Sequence, residues 1–325
     1  MISGRVGCAV PVLAASVLFG VSTVIAASFP ERPVRLIVGT SPGGGTDAIA
    51  RLVAKSLTTA WGQAVVVDNR PGVEGMIGMD AVAKSTPDGH TLAINNVNHT
   101  IRPHFYKNQP FDTIKSFTPI ILLASAPDVI LVNPALSPVK SLQELIALAK
   151  SKPRQLNYAT AGQGTAPSME MANFVQRVGI EMVEVHYKGT GPALVALLTG
   201  EVQVGFAAIA AIIGHIRTGR LKPLASGSKA RHPLMPDVPT VAEAANLPGF
   251  EAANWYGIIG PARLPAKLAQ RLHDDFLAAM KSPEVAESLH KQGFLINTLN
   301  PAEFRQYMID DVAKWGNTVK ASNAR

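Results

Sequence analysis

Residues 34–53 read VRLIVGTSPGGGTDAIARLV. Val34–Gly39 is a short β-branched run. From residue 47 the apolar side chains recur at Ile49, Leu52, Val53 and Leu57, which is the spacing of one helix face. A strand feeding a helix through a glycine-rich turn is the repeating unit of an α/β protein. Three chemical signatures overlap in that turn. Gly39-Thr40-Ser41-Pro42-Gly43 fits the G-x-S-x-G elbow of a serine hydrolase. Gly43, Gly45 and Ala48 fit a dinucleotide-binding turn, with Asp68 about 20 residues on, where a ribose-binding acid belongs. The same glycines opening a helix also fit a cradle for a small anion, through free N–H groups and the positive end of the helix dipole.

Elementary chemistry separates the three. Ser41 follows the first strand directly, before a central sheet can exist on its N-terminal side. Pro42 stands where an oxyanion hole needs the N–H of the residue after the nucleophile, and proline has none. An exported chain has little access to a nicotinamide dinucleotide, and Asp68 in DNRPG also reads as a turn residue. The anion cradle asks least, its plain alternative being a tight turn capped by Thr46 or Asp47. Asp47 constrains it. A carboxylate there repels a directly bound anion, so the anion is expected to be offset or to reach the loop through water, unless a ligand amine pairs with Asp47.

The rest of the chain sets the context. Arg5 is the only charge before Glu31, and the apolar run VPVLAASVLFGVSTVIAA ends in small residues. Residues 1–27 read as a secretory signal peptide, cleaved after Ala26 or Ala27. The only cysteine of the 325 residues is Cys8, inside that leader, which excludes disulfides, thiol catalysis and cysteine-based metal sites from the mature chain. Export without disulfides points to a bacterial periplasm. The composition, 47% hydrophobic and 16% charged, is that of a globular protein with a substantial core. The net charge of +7 is dispersed, its densest cluster being Arg217, Arg220 and Lys222, so a nucleic-acid partner is not expected.

Strand-like and helix-like segments alternate from residue 34 onward, which predicts a mainly parallel sheet covered by helices. Strands are expected at Ile120–Ala124 and Val129–Val132, separated by Pro127. Ser141 with Glu144 marks a capping box, and Asn300-Pro301 with Glu303 opens the last helix. Ligands of such sheets sit in loops leading from strands into helices. A second loop of this kind is Thr160-Ala161-Gly162-Gln163-Gly164-Thr165. Two glycine-rich turns about 120 residues apart suggest two α/β lobes.

These residues resemble a known family, the solute-binding proteins of the tripartite tricarboxylate transporter system, called Bug proteins. The resemblance runs from FPERPVRLIVGTSPGGGTDAIARLVA through VVVDNRPGVEGMIGMDAVAKSTPDGHTLA, YATAGQGTAPSMEMANF and VEVHYKGTGPALVALLTGEVQVGF to NWYGIIGPARLPA. It implies a two-lobed periplasmic binding protein of type II topology with the ligand cleft between the lobes. The implied lobes are residues 28–127 with 252–325, and 128–251, with crossings near Ala126–Val129 and Glu251–Trp255. It further implies a monomer that captures a small organic carboxylate, partly through ordered waters, and passes it to integral membrane subunits. Neither catalysis, cofactor nor metal is implied. The expected ligand contacts are Ser41, Gly43, Gly44, Gly45, Thr46 and Asp47 in the first loop, and Gly162, Gly164, Thr165 and Ser168 at the second. Asn95, ending a strand, and Lys188, following one, complete the set. Ser168 replaces a usual histidine and Ala207-Ala208 a usual acid or amide, so a less polar pocket is expected. Trp255, His99 and His104 are expected to pack. An exported hydrolase using Ser41 and a receptor serving a sensor protein are the alternatives.

Overall fold

The computed structural model describes residues 29–323 apart from Glu74, Gln163 and Lys188, together with Met1 and Gly4. Those two aside, the expected leader lies outside the described residues. The chain opens with β1 (Val34–Val38), α1 (Gly45–Trp61), β2 (Val65–Asn69), α2 (Met76–Ala83) and β3 (Thr91–Asn96). A single-turn helix α3 (Asn98–Ile101) and a 3-10 turn at Arg102–His104 lead to a long strand, β4 (Phe117–Val132). There follow α4 (Leu142–Ser151), β5 (Asn157–Thr160), α5 (Ala166–Val178), β6 (Val183–His186), α6 (Thr190–Thr199), β7 (Val204–Ala208), α7 (Ile209–Arg217), β8 (Lys222–Ser226) and α8 (Val241–Ala244). The chain ends through β9 (Ala253–Pro261), α9 (Ala266–Lys281), α10 (Pro283–Lys291), β10 (Leu295–Leu299) and α11 (Pro301–Asn323).

The strands lie in the order β2-β1-β3-β9-β4-β7-β5-β6, and β8 and β10 also pair with β4. Within each half the βα units make parallel neighbours, β1 with β2 and β3, and β5 with β6 and β7. The strands that join the halves are antiparallel: β9 pairs with both β3 and β4, and β4 pairs with β7. This is the α/β, two-lobed architecture expected, with two corrections. The sheet is mixed and not mainly parallel, because the strands β4 and β9 that run between the halves pair antiparallel with all their neighbours. Pro127 does not separate two strands, because β4 runs unbroken through it. Up to Pro127, which faces Ala253, the strand pairs with β9; from Asp128, which faces Ala208, it pairs with β7. The donor that proline lacks falls where one ladder ends and the next begins. The next N–H, that of Asp128, is satisfied by the Ala252 carbonyl at 3.1 Å.

Period-two alternation decides which side chains fill which layer. Leu36 packs with Ile49, Leu57, Ile258 and Phe276 on one face of the first half, while its neighbour Ile37 joins Met79, Phe117, Phe304 and Trp315 on the other. In the second half Val132, Leu142, Phe174 and Phe206 form one layer, and Val129, Leu131, Leu197 and Ile212 the opposite one. Each such side chain stabilises the fold by roughly 1.5–3 kcal/mol. Trp255 lies inside, edge-on to Phe304 at 5.5 Å, its indole N–H donating to Asp311 at 2.9 Å. His99 is fully buried and its Nε2 bonds the Thr113 carbonyl at 2.7 Å; the His104 Nε2 bonds the Val312 carbonyl at 2.8 Å. The α11 cap forms as read, with reciprocal 3.0 Å bonds between Asn300 and Glu303. On α4, Ser141 accepts from the Glu144 N–H, but the Glu144 carboxylate bonds the N–H of Lys140, one residue earlier than a capping box requires. Among the described residues no helix is long and apolar enough to cross a membrane.

Candidate functional site

The carboxyl ends of β1, β5, β6 and β7 lead into α1, α5, α6 and α7. Residues at the N-termini of all four helices line one cavity of about 500 Å³: Gly43–Gly45 of α1, Thr165–Pro167 of α5, Thr190 of α6, and Ala208, Ala210 and Ala211 of α7. The sequence leaves these helix ends without side-chain caps. The N-cap positions are Gly44, Thr165, Gly189 and Ala208, and none accepts a capping bond. Thr165 is chemically able to cap, but its hydroxyl donates to the Gly162 carbonyl at 2.7 Å. By contrast Ser141, Thr240 and Ser282 cap α4, α8 and α10. Each uncapped end presents unpaired N–H groups and about half a positive charge. No lysine or arginine is among the described residues that line the cavity.

The floor comes from the strands that join the halves. Ala126 and Asp128 of β4, and Asn254 and Tyr256 of β9, alternate onto the cavity side; Asn98 of α3 and Phe294 close the rim. Tyr256 is buried, and a Cβ at Gly45 would lie 2.8 Å from its hydroxyl, so the tight approach of the α1 terminus to this ring requires glycine. Burial, then the neighbouring Asp128 and Glu170 carboxyls, push the Tyr256 phenol far above its usual range, so it is a neutral donor.

The expected contacts divide. Gly43, Gly44, Gly45 and Thr165 line the cavity. Ser41 is exposed and stands outside that lining. Thr46 is buried, its hydroxyl accepting from Asn96 at 3.1 Å. Asp47 turns into its own loop, accepting from the Gly43 N–H at 3.0 Å, Arg51 Nε at 2.9 Å and Asn69 Nδ2 at 3.0 Å. Burial works to raise this carboxyl, but the bonds from Arg51, Gly43 and Asn69 outweigh it and hold Asp47 below the usual range. Asn95 is buried off the cavity, its Oδ1 accepting the Asn96 N–H, while Asn98 reaches the lining instead. Gly162 and Gly164 lie behind Thr165, Gly164 against the Phe105 ring, and Ser168 is buried within α5. Lys188 lies outside the described residues.

Sequence reasoning missed Asn98, Asp128, Thr190, Asn254, Tyr256 and Phe294. The signals were present for three of these. Asp128 is the one acid in the apolar run of β4, and the NWY stretch places Asn254 and Tyr256 on one face with Trp255 on the other. Ala207 and Ala208, expected to make the pocket less polar, do line it. A larger hollow of about 650 Å³ lies beside β5 and β6, but it meets the C-terminal end of α5 and carries Glu181 and Glu184 against a single cation among its described lining, Arg154, a polarity that disfavours an anion.

A family model described as the tripartite tricarboxylate transporter family receptor matches residues 49–324. The UPF0065 protein of the tcbD-tcbE intergenic region of Pseudomonas sp. (strain P51) is 38% identical over 266 residues, 82% of this chain and 79% of its own. Protein BugT of Bordetella pertussis is 33% identical over 308 residues, 93% of each chain. Among solved structures, R. palustris Rpa4515 with adipate superposes with a TM-score of 0.79 at 31% identity, covering 91% of this chain and 98% of that one. MatC from Rhodopseudomonas palustris with bound malate gives 0.74 at 29% identity, covering 90% and 100%.

Proposed function

The chain belongs to the tripartite tricarboxylate transporter receptor family, and from that premise we propose a periplasmic receptor that captures a small organic carboxylate between its lobes and delivers it to the membrane subunits of such a transporter. The observation that carries the reading is the meeting of four uncapped helix N-termini on one cavity without a basic side chain among its described lining. Together they amount to roughly two positive charges, fixed in place and partly desolvated, which holds an anion without the reorganisation a flexible lysine needs. Relatives solved with adipate and malate supply the ligand class.

The lobes are residues 28–127 with 252–325, and 128–251, the change of partner along β4 supporting this division. The chain is exported by a leader cleaved after Ala26 or Ala27, acts as a monomer, and needs no cofactor. Its closed form is what the membrane partners read. It performs no covalent chemistry: Pro42 removes the N–H an oxyanion would need, and Ser41 makes no hydrogen bond to a base among the described residues. Thermal unfolding with a panel of mono-, di- and tricarboxylates tests the reading. At least one member is expected to bind near micromolar, roughly −8 kcal/mol. At a hundredfold excess over Kd that ligand adds about 2.7 kcal/mol of stability. No rise in Tm with any member at millimolar concentration would refute the receptor.

A further inference from the structure

Among its described lining the cavity holds one acid, Asp128, in a setting that an anion receptor does not require. It is 3% exposed, stands on the same side of β4 as Ala126, and faces Ala208 across the ladder to β7. Among the described residues no N–H group or hydroxyl donates to its carboxylate. The side chain hydrogen-bonded to it is another acid, Glu170 of α5, which is fully buried and whose two oxygens meet no donor from an amide, hydroxyl or cation among the described residues. Lys314, the cation whose field reaches Glu170, is committed to Asp311 at 3.9 Å and to the Glu251 carbonyl at 3.2 Å. The Tyr256 hydroxyl beside them has no hydrogen bond among the described residues, and Tyr256 lines the same cavity.

Burial, and then the facing Asp128, push Glu170 well above the usual carboxylate range, so Glu170 keeps its proton and donates it toward Asp128. Burial pushes Asp128 up to about 6 while the Glu170 bond pulls it down, so of the two facing carboxyls Asp128 is the one that ionises first. A buried charge of this kind is strongly unfavourable without a counter-ion. The helix ends answer it only in part, since their N–H groups point into the cavity toward an anion. We infer that Asp128 forms an ammonium-binding subsite, so that the ligand is a zwitterion with its carboxylate at the helix N-termini and its protonated amine at Asp128. This rests on the carboxylate-receptor reading and sharpens it. A ligand of carboxylates alone meets Asp128 as a repulsion, whereas an aminocarboxylate satisfies both poles of the cavity and displaces no protein contact.

Calorimetry on matched pairs tests the subsite: propionate with β-alanine, butyrate with 4-aminobutyrate, and pentanedioate with its 2-amino derivative. At least one amino member is expected to bind about tenfold or more tighter than its partner. Asp128→Asn is expected to bring the two within about threefold, the carboxylate contacts being unchanged. Glu170→Gln, which keeps a donor toward Asp128, is expected to retain the preference. Equal or weaker binding of every amino member, or a preference that survives in D128N, overturns the subsite and leaves the receptor intact. Failure of both sets to bind overturns the receptor and the subsite with it. If D128N does not fold, the wild-type comparison of the pairs decides alone.

Discussion

Asp47 and Asp128 are both buried beside the cavity, and their surroundings give them opposite tasks. Asp47 collects a backbone N–H, a guanidinium and an amide, so its charge is spent inside the first loop. Asp47→Ala should therefore cost about 2 kcal/mol of stability, because three donors lose their acceptor. Its depressed value sets the sign of the pH dependence. The stabilisation is present above the unfolded value of 3.8 and is lost as pH falls through the lower folded value, so acid melts of the wild type and D47A should converge. Tyr256→Phe tests the cavity donor: with the ring retained, the fold should stand while carboxylate affinity falls about five- to tenfold by calorimetry. Asp47 was legible as a constraint because a carboxylate in an anion-binding loop repels a directly bound anion. Its third partner was not, since Asn69 arrives from β2, and Tyr256 was hidden beside the more conspicuous Trp255.

The helices divide by what closes their first turn. Ser141, Thr240, Ser282 and Asn300 close helices away from the cavity, and α2, α3 and α9 go without a side-chain cap, while the four helices that begin on the cavity with Gly44, Thr165, Gly189 or Ala208 all leave their amides without one. Leaving a cap out costs about 0.5–2 kcal/mol per helix relative to a good one. Gly44 offers a direct test, because its φ of −86° suits any residue and a Cβ there meets nothing within 4 Å. Gly44→Asp should hold or slightly raise Tm by capping α1, while carboxylate affinity drops at least about tenfold as its charge occupies the anion position. An affinity equal to wild type would remove the α1 terminus from the site. Helix ends were readable wherever local chemistry decides them, as at Gly62 and Gly179, both left-handed C-caps. The unbroken β4 was not, because proline's fate there depends on β9 and β7, which lie far along the chain.

For the molecule as a whole, a buried histidine and a buried pair of acids bend stability in opposite directions with pH. Burial, the charge of Arg102 and, opposing them, the Thr113 carbonyl leave His99 lowered from 6.5 to about 3. A histidine depressed on folding contributes stability that is present above its unfolded value and lost as pH falls below it. Asp128 and Glu170 are raised on folding, so their contribution is full below the unfolded values of 3.8 and 4.5 and is lost as pH rises, through about 6 for Asp128. Glu170→Gln should lift Tm near pH 8 by a few degrees and change it little near pH 4. Equal differences at both pH values would show that the pair does not titrate with folding. The two-lobed plan was legible from the order of elements and the two glycine-rich turns. The cavity was half legible, because strand-to-helix loops announce themselves locally while Asn98, Asn254 and Phe294 reach the site only through the sheet. That same sheet carries a kinetic consequence. β9 lies between β3 and β4, and Val97 bonds the Asn254 side chain 157 positions away. The first half therefore lacks its central strand until the last third of the chain is available, and such distant closure makes folding slow. On the export route proposed above, a chain threading through a membrane N-terminus first stays unlocked for most of its passage, and it closes only after β9 has crossed.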